Sequence, residues 1–146
     1  MPYASQADMV MRFGQAEMIR LSAPGDELPS SPDAAKIGVA LADASGIIDT
    51  ALRNRYALPL TFFPPEITRA CCVLARYDLA RGQDKQPSKE MIAERRETMD
   101  WLASLSTGTA LLDAPAGGAA AGAMAEQRQV LPFEARGECP LDGWQA

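Results

Sequence analysis

RNRYALPLTFFPPEI, residues Arg53 to Ile67, decides how this chain folds. Two arginines and a tyrosine stand where one helix would end, and an apolar loop follows, bracketed by Pro59 and Pro64-Pro65. Leu58 precedes a proline and is pushed out of the helical region. Pro65 suits the first position of a new helix, where its missing N–H does no harm, and Glu66 in the same turn complements the positive end of the helix dipole. The stretch therefore reads as helix, loop, helix, with Tyr56, Leu58 and Leu60 closing the end of a core. Phe62 and Phe63 are half of the four phenylalanines. Two consecutive aromatics before a helix start cannot easily both face inward, so Phe62 or Phe63 is expected to be an exposed anchor for a partner.

Upstream, Asp33 is placed to cap a long helix, AAKIGVALADASGIIDTALRNRY. Ile37, Leu41, Ala44, Ile48 and Ala51-Leu52 recur at spacings of three and four, which makes one apolar face. Asp49 stands four residues before Arg53, the favourable order for an exposed pair. Downstream, ITRACCVLARYDLA puts Ile67, Ala70-Cys71, Leu74 and Tyr77-Asp78 on one stripe, is apolar over much of its circumference, and should form the centre of the core. Gly82 ends it.

Ser88 caps a further helix, KEMIAERRETMDWLASL, closed by Thr107-Gly108. Met91-Ile92, Met99, Leu102 and Leu105 are its expected inner face, with Glu90, Glu94, Glu97 and Asp100 mostly outside. Near the start, Ser5 with Asp8 three residues on forms a variant capping box for SQADMVMRF. Gly14 stops that helix, and QAEMIRL follows as a short second piece before the turn-rich SAPGDELPSSPD. The pattern predicts an all-α fold, a small bundle of about four to five helices with an extended C-terminal arm.

A chain of 146 residues with 47 % hydrophobic and 23 % charged residues allows one domain of ordinary size and an appendage. Its net charge of −5 argues against unaided binding to a phosphate backbone. No apolar run approaches the roughly 18 residues needed to span a bilayer, and the N-terminal residues lack the basic and apolar pattern of a signal peptide. The chain holds no histidine, so histidine-dependent nucleophilic catalysis and most zinc sites are excluded. GGAAAG, Gly117 to Gly122, lacks the Lys and Ser/Thr of a phosphate loop, and no Gly-x-Ser-x-Gly elbow occurs.

The carboxylates of the KEMIAERRETMD helix read as a solvated face rather than a metal face. Cys71 and Cys72 read as small buried hydrophobes rather than a redox pair. Neither catalysis nor a cofactor or metal is expected. Arg53, Arg55, Arg69 and Arg76 form a basic patch on one reading; salt bridges to Asp49, Glu66 and Asp78 are the simpler account.

Composition changes after Leu112. The helical domain is expected over 1–112, an Ala/Gly-rich linker over 113–125, and an arm over 126–146. The arm scatters Val130, Leu131, Phe133, Leu141 and Trp144 among charges and prolines. That is too little apolar surface to fold alone, and enough to anchor on a partner.

The order of the motifs YASQADMVMRFGQAEMIRLS, IGVALADASGIIDTALRNRYALPL, PPEITRACCVLARYDL and MDWLASLSTGTALL is similar to that of the Mu-like family of phage proteins of unknown function. That family resembles the head–tail connectors, or adaptors, of tailed phages. The similarity covers Tyr3 to about Leu112 and is most specific at IDTALRNRYALPL and at the Pro-Pro helix start. RQVLPF and PLDGW match the family's tails loosely.

The resemblance implies a ring, twelve-fold in related connectors, whose helical bodies line a channel under the portal protein and whose arms reach toward it. Its neighbours would be further copies of itself, the portal, and a downstream stopper or tail-completion protein. DNA would pass through without specific binding, and no membrane is implied. The expected location is the virion neck, with host cytoplasm during assembly. The partner-binding residues expected are Phe62, Phe63, Arg128, Leu131, Phe133, Arg136, Leu141 and Trp144. A small DNA- or regulator-binding helical module, suggested by the short N-terminal helices, is the alternative.

Overall fold

Five helices account for nearly all regular structure in the computed structural model, which describes residues 1–25, 28–82 and 86–113. The first, third and fifth begin where a side chain accepts from their unpaired N–H groups. Ser5 opens α1 (Gln6–Phe13): its hydroxyl accepts from the Asp8 N–H at 3.3 Å while the Asp8 carboxylate accepts from the Ser5 N–H at 2.7 Å. Hydrogen bonds from Ser5 hold the Asp8 carboxyl below its ordinary range. Gly14, at φ 88°, turns the chain directly into α2 (Gln15–Ser22). That backbone conformation costs glycine little and most other residues more.

Asp33 caps α3 (Ala34–Leu52) by accepting from the Ala35 and Lys36 N–H groups. Pro65 opens α4 (Pro65–Arg81), and Gly82 closes it. Ser88 caps α5 (Lys89–Thr107), which ends on Gly108 in the left-handed conformation.

α3 and α4 form the packed centre, α5 lies along both, and α1 and α2 pack across α4. The expected α3 face is buried at Ile37, Leu41, Ala44, Ile48 and Leu52, with Ala51 half-buried. α4 is enclosed as its composition foretold, from Ile67 through Leu74 to Ala80. Tyr77 and Asp78, placed on its inner stripe by spacing, are only half-buried. Ile92 is a correction: it is 49 % exposed. The inner line of α5 runs back from Leu105 and Leu102 through Met99 to Met91, and Ile92 falls about 100° off that line.

The buried serines are partnered, whereas Arg55 Nε is buried without a hydrogen bond among the described residues. Ser45 donates to the Leu41 carbonyl at 2.7 Å, accepts from the Tyr3 N–H at 3.0 Å and lies 3.5 Å from Cys71 Sγ. Cys71 and Cys72 are buried free thiols, and burial pushes Cys72 up to about 11. They are the small core residues expected.

Arg76 ties the layers together. Its Nε donates to Glu17 at 2.6 Å, its Nη1 donates to Glu94 at 3.0 Å, and its guanidinium lies 4.5 Å from the centre of the Phe13 ring. The partners foreseen for the arginines, Asp49, Glu66 and Asp78, are not those used. Asp49 accepts from the Tyr3 hydroxyl, and Arg53 turns to Thr50 at 3.4 Å. Apart from the local Arg53–Thr50 pair, helix faces and not sequence neighbours chose these contacts. No described helix is long and apolar enough to cross a membrane.

Candidate docking surface

The loop between α3 and α4 is fixed from below by side chains that sequence proximity could not reveal. Arg55 donates from Nη1 to the Thr107 carbonyl at 3.2 Å, which places a cation on the C-terminal end of α5 where the helix dipole favours it. Gly108 follows immediately, and a Cβ there would fall 2.2 Å from the same guanidinium. The glycine is therefore favoured by its φ of 81°, and a Cβ there would also push the Arg55 guanidinium aside. Tyr56 is buried, and its hydroxyl accepts from the Leu112 N–H at 2.9 Å. Leu60 is buried and Leu58 packs against the core, as the loop's role in closing the bundle requires.

The N-terminal residues join at the same end. The Tyr3 hydroxyl donates to Asp49, and its carbonyl accepts from Thr68 Oγ1 at 3.1 Å. Burial, with the Asp49 contact, raises the Tyr3 phenol well above its ordinary range. The Tyr3 ring meets Phe63 edge-on, with centroids 5.4 Å apart and planes at 73°. One end of the bundle thus collects the chain start, the end of α3, the start of α4 and the segment after α5.

Apolar side chains face outward on that end. Phe62 is 60 % exposed, Phe63 is 42 % exposed and Leu111 is 67 % exposed. The sequence foresaw one exposed aromatic; both are. Phe63 is held by Tyr3, while Phe62 has no ring partner among the described residues. Such a surface offers apolar contact area and little chemistry of its own.

Of the other expected contact residues, Arg128, Leu131, Phe133, Arg136, Leu141 and Trp144 lie outside the described residues, as do nearly all of the expected linker and the whole arm. Arg53, Arg55, Arg69 and Arg76 do not act as one patch: Arg55 serves the α5 terminus and Arg76 is engaged by Glu17 and Glu94. Tyr3 and Leu111 were missed. Leu111 could have been found by asking where the chain leaves the bundle; Tyr3 gives no local signal, since its hydroxyl partner is 46 residues away.

Residues 3–131 match the family described as Bacteriophage Mu, Gp36. The chain belongs to that family. It is 36 % identical over 108 residues to gene product J of Escherichia phage Mu, an alignment covering 74 % of each chain. It is 35 % identical over 108 residues to the Mu-like prophage FluMu protein gp36 of Haemophilus influenzae, covering 73 % of this chain and 72 % of the relative. This is a phage protein of the Mu type. The Gp36 match also runs past Leu112, where the motif resemblance stops, as far as Leu131.

Proposed function

We propose that this chain is a structural head–tail adaptor of a tailed-phage neck. Copies of it, twelve by analogy with related connectors, form a ring under the portal that joins head to tail and lets DNA pass. The observation that carries the reading is the coincidence, at one end of the bundle, of the exposed Phe62 and Phe63 with the point near Leu112 from which the C-terminal residues depart. An aromatic patch and a tether leaving from the same end can engage one partner together, the second contact gaining from high effective concentration. Arg128, Leu131, Phe133, Arg136, Leu141 and Trp144 are the tether's contact residues on this reading.

Membership of a phage family agrees with a role in particle assembly. The charge agrees as well: twelve copies at −5 each carry about 60 excess negative charges, enough to oppose sticking of the passing DNA. The experiment is binding of the full chain to assembled portal protein. Binding is expected, and removal of residues 113–146 abolishes it. Retention of the chain on DNA at low salt, lost steeply as salt rises, with no portal binding, would replace this reading with that of a DNA-binding module.

A further inference from the structure

α4 and α5 do not close on each other along their whole length. Between them runs a groove of about 260 Å³, below the ~300 Å³ at which small-molecule pockets begin and suited to one or two side chains. Its floor is Ala70 and Val73, both buried, and Trp101 and Thr98 line a wall. The rim carries the carboxylates of Glu66, Glu94 and Glu97 against the single guanidinium of Arg69. Glu94 is already engaged by Arg76, whereas the side chains of Glu66 and Glu97 have no hydrogen bond or ion pair among the described residues. The groove asks for a cation beside an apolar side chain.

The sequence contains one fitting segment outside the described residues. Residues 127–133, QRQVLPF, carry Arg128 with Val130, Leu131 and Phe133, between the flanking acids Glu126 and Glu134, whereas Arg136 has only Leu141 as a large apolar side chain among the five residues that follow it, with Glu138 in between. The Gp36 match includes this segment as far as Leu131. Chain length lets it reach the groove of a neighbour. The nearer wall of a copy's own groove, Trp101, is about 9 Å along α5 from Thr107 at 1.5 Å per residue, which a few residues would cover. Residues 114–126 extend to at most about 45 Å, more than the ~34 Å breadth expected for a compact body of this size. The spacer is long for the chain's own groove and sufficient for a neighbour's.

We propose that the α4–α5 groove holds residues 127–133 of a second copy of this chain, with Arg128 between Glu66 and Glu97 and an apolar side chain against Val73 and Trp101. The assembled form rests on the ring reading above, but the contact is between copies of this chain alone. It divides the tether's contact residues: Arg128, Leu131 and Phe133 go to the neighbouring copy, and Arg136, Leu141 and Trp144, within residues 134–146, are left for the portal.

The test is disulfide trapping between full-length chains in which Cys139→Ser removes the third thiol. One chain carries Thr98→Cys and a size tag, the other Leu131→Cys, and the two are mixed and oxidised with diamide. A mixed-size product is expected at least tenfold above a control in which Ser30→Cys replaces Thr98→Cys. Glu97→Lys should lower it about fivefold, as expected for reversing one exposed charge in a pair, and Arg128→Glu in the other chain should restore it. No product above the control, a yield indifferent to the charge reversals, or closure only within a single chain bearing both cysteines would overturn the proposal. Mixed trapping without portal binding would sink the adaptor reading and leave this contact standing; portal binding without trapping would do the reverse.

Discussion

α4 and α5 are of similar length, 17 and 19 residues, and are used in opposite ways. α4 is enclosed from Ile67 to Ala80, while α5 fully buries only Leu102 and Leu105. The difference lies in their residues. α4 fills its flanks with Ala70, Cys71, Cys72 and Ala75, small enough for α1, α2, α3 and α5 to approach from several sides. α5 carries Glu90, Arg96, Glu97 and Asp100 outward and touches the core along one line. α4 holds the molecule together; α5 covers it and keeps an outer surface for contacts.

The largest effect expected from that contrast is on α4. Leu74, 1 % exposed, is replaced by Ala at a cost of about 3 kcal/mol, transfer and cavity together, read as a fall in the urea midpoint with unchanged slope. A loss under about 1 kcal/mol would mean α4 is not the centre. Next comes the strap across the layers: Arg76→Ala leaves Glu17 and Glu94 unpaired, and because the pair is partly rather than fully buried it should cost about 2 kcal/mol. Glu17→Gln together with Glu94→Gln should recover part of that loss by removing the stranded charges.

Asp78 sharpens the comparison by pH. Burial raises its carboxyl above the ordinary 3.8, Asp43 adds to the rise, and Arg95 and Arg81 oppose it. A carboxyl whose pKa is higher folded than unfolded stabilises the fold below the unfolded value, and loses that contribution as pH rises through the folded one. At neutral pH the charged Asp78 is therefore a small liability. Asp78→Asn should raise the Tm at pH 7, and the gain should vanish as the pH falls below the ordinary carboxylate range. A variant less stable than the parent at pH 7 would contradict this. The smallest effect belongs to the open side of α5: Ile92→Ala should change stability by less than about 0.5 kcal/mol, because its side chain is half in water.

Caps and repeats made the helices legible. Ser5 with Asp8, Asp33, Pro65 and Ser88 each announce a start through a local hydrogen-bond or dihedral requirement, and each stands where it should. What joins the helices was not legible. Tyr3 to Asp49, Arg76 to Glu17 and Tyr56 to Leu112 span 46, 59 and 56 residues, and such pairs follow from which faces meet, not from spacing along one helix. For the same reason, the arginine partners expected within a turn or two were the wrong ones. At the docking surface, Phe62 and Phe63 were visible because two adjacent aromatics conflict at a helix start. The contribution of Leu111 follows from where the chain leaves the bundle, a point that the Tyr56–Leu112 clasp fixes.

The central claim is that the exposed aromatic end is a docking surface and not a defect of the core. Its most direct test is Phe62→Ala in the full chain, with affinity for assembled portal protein and the Tm measured on the same sample. The account predicts a binding loss of about tenfold or more, in keeping with removal of a buried aromatic anchor, while the Tm stays within a few degrees of the parent. Unchanged affinity, or a variant that unfolds, would contradict it.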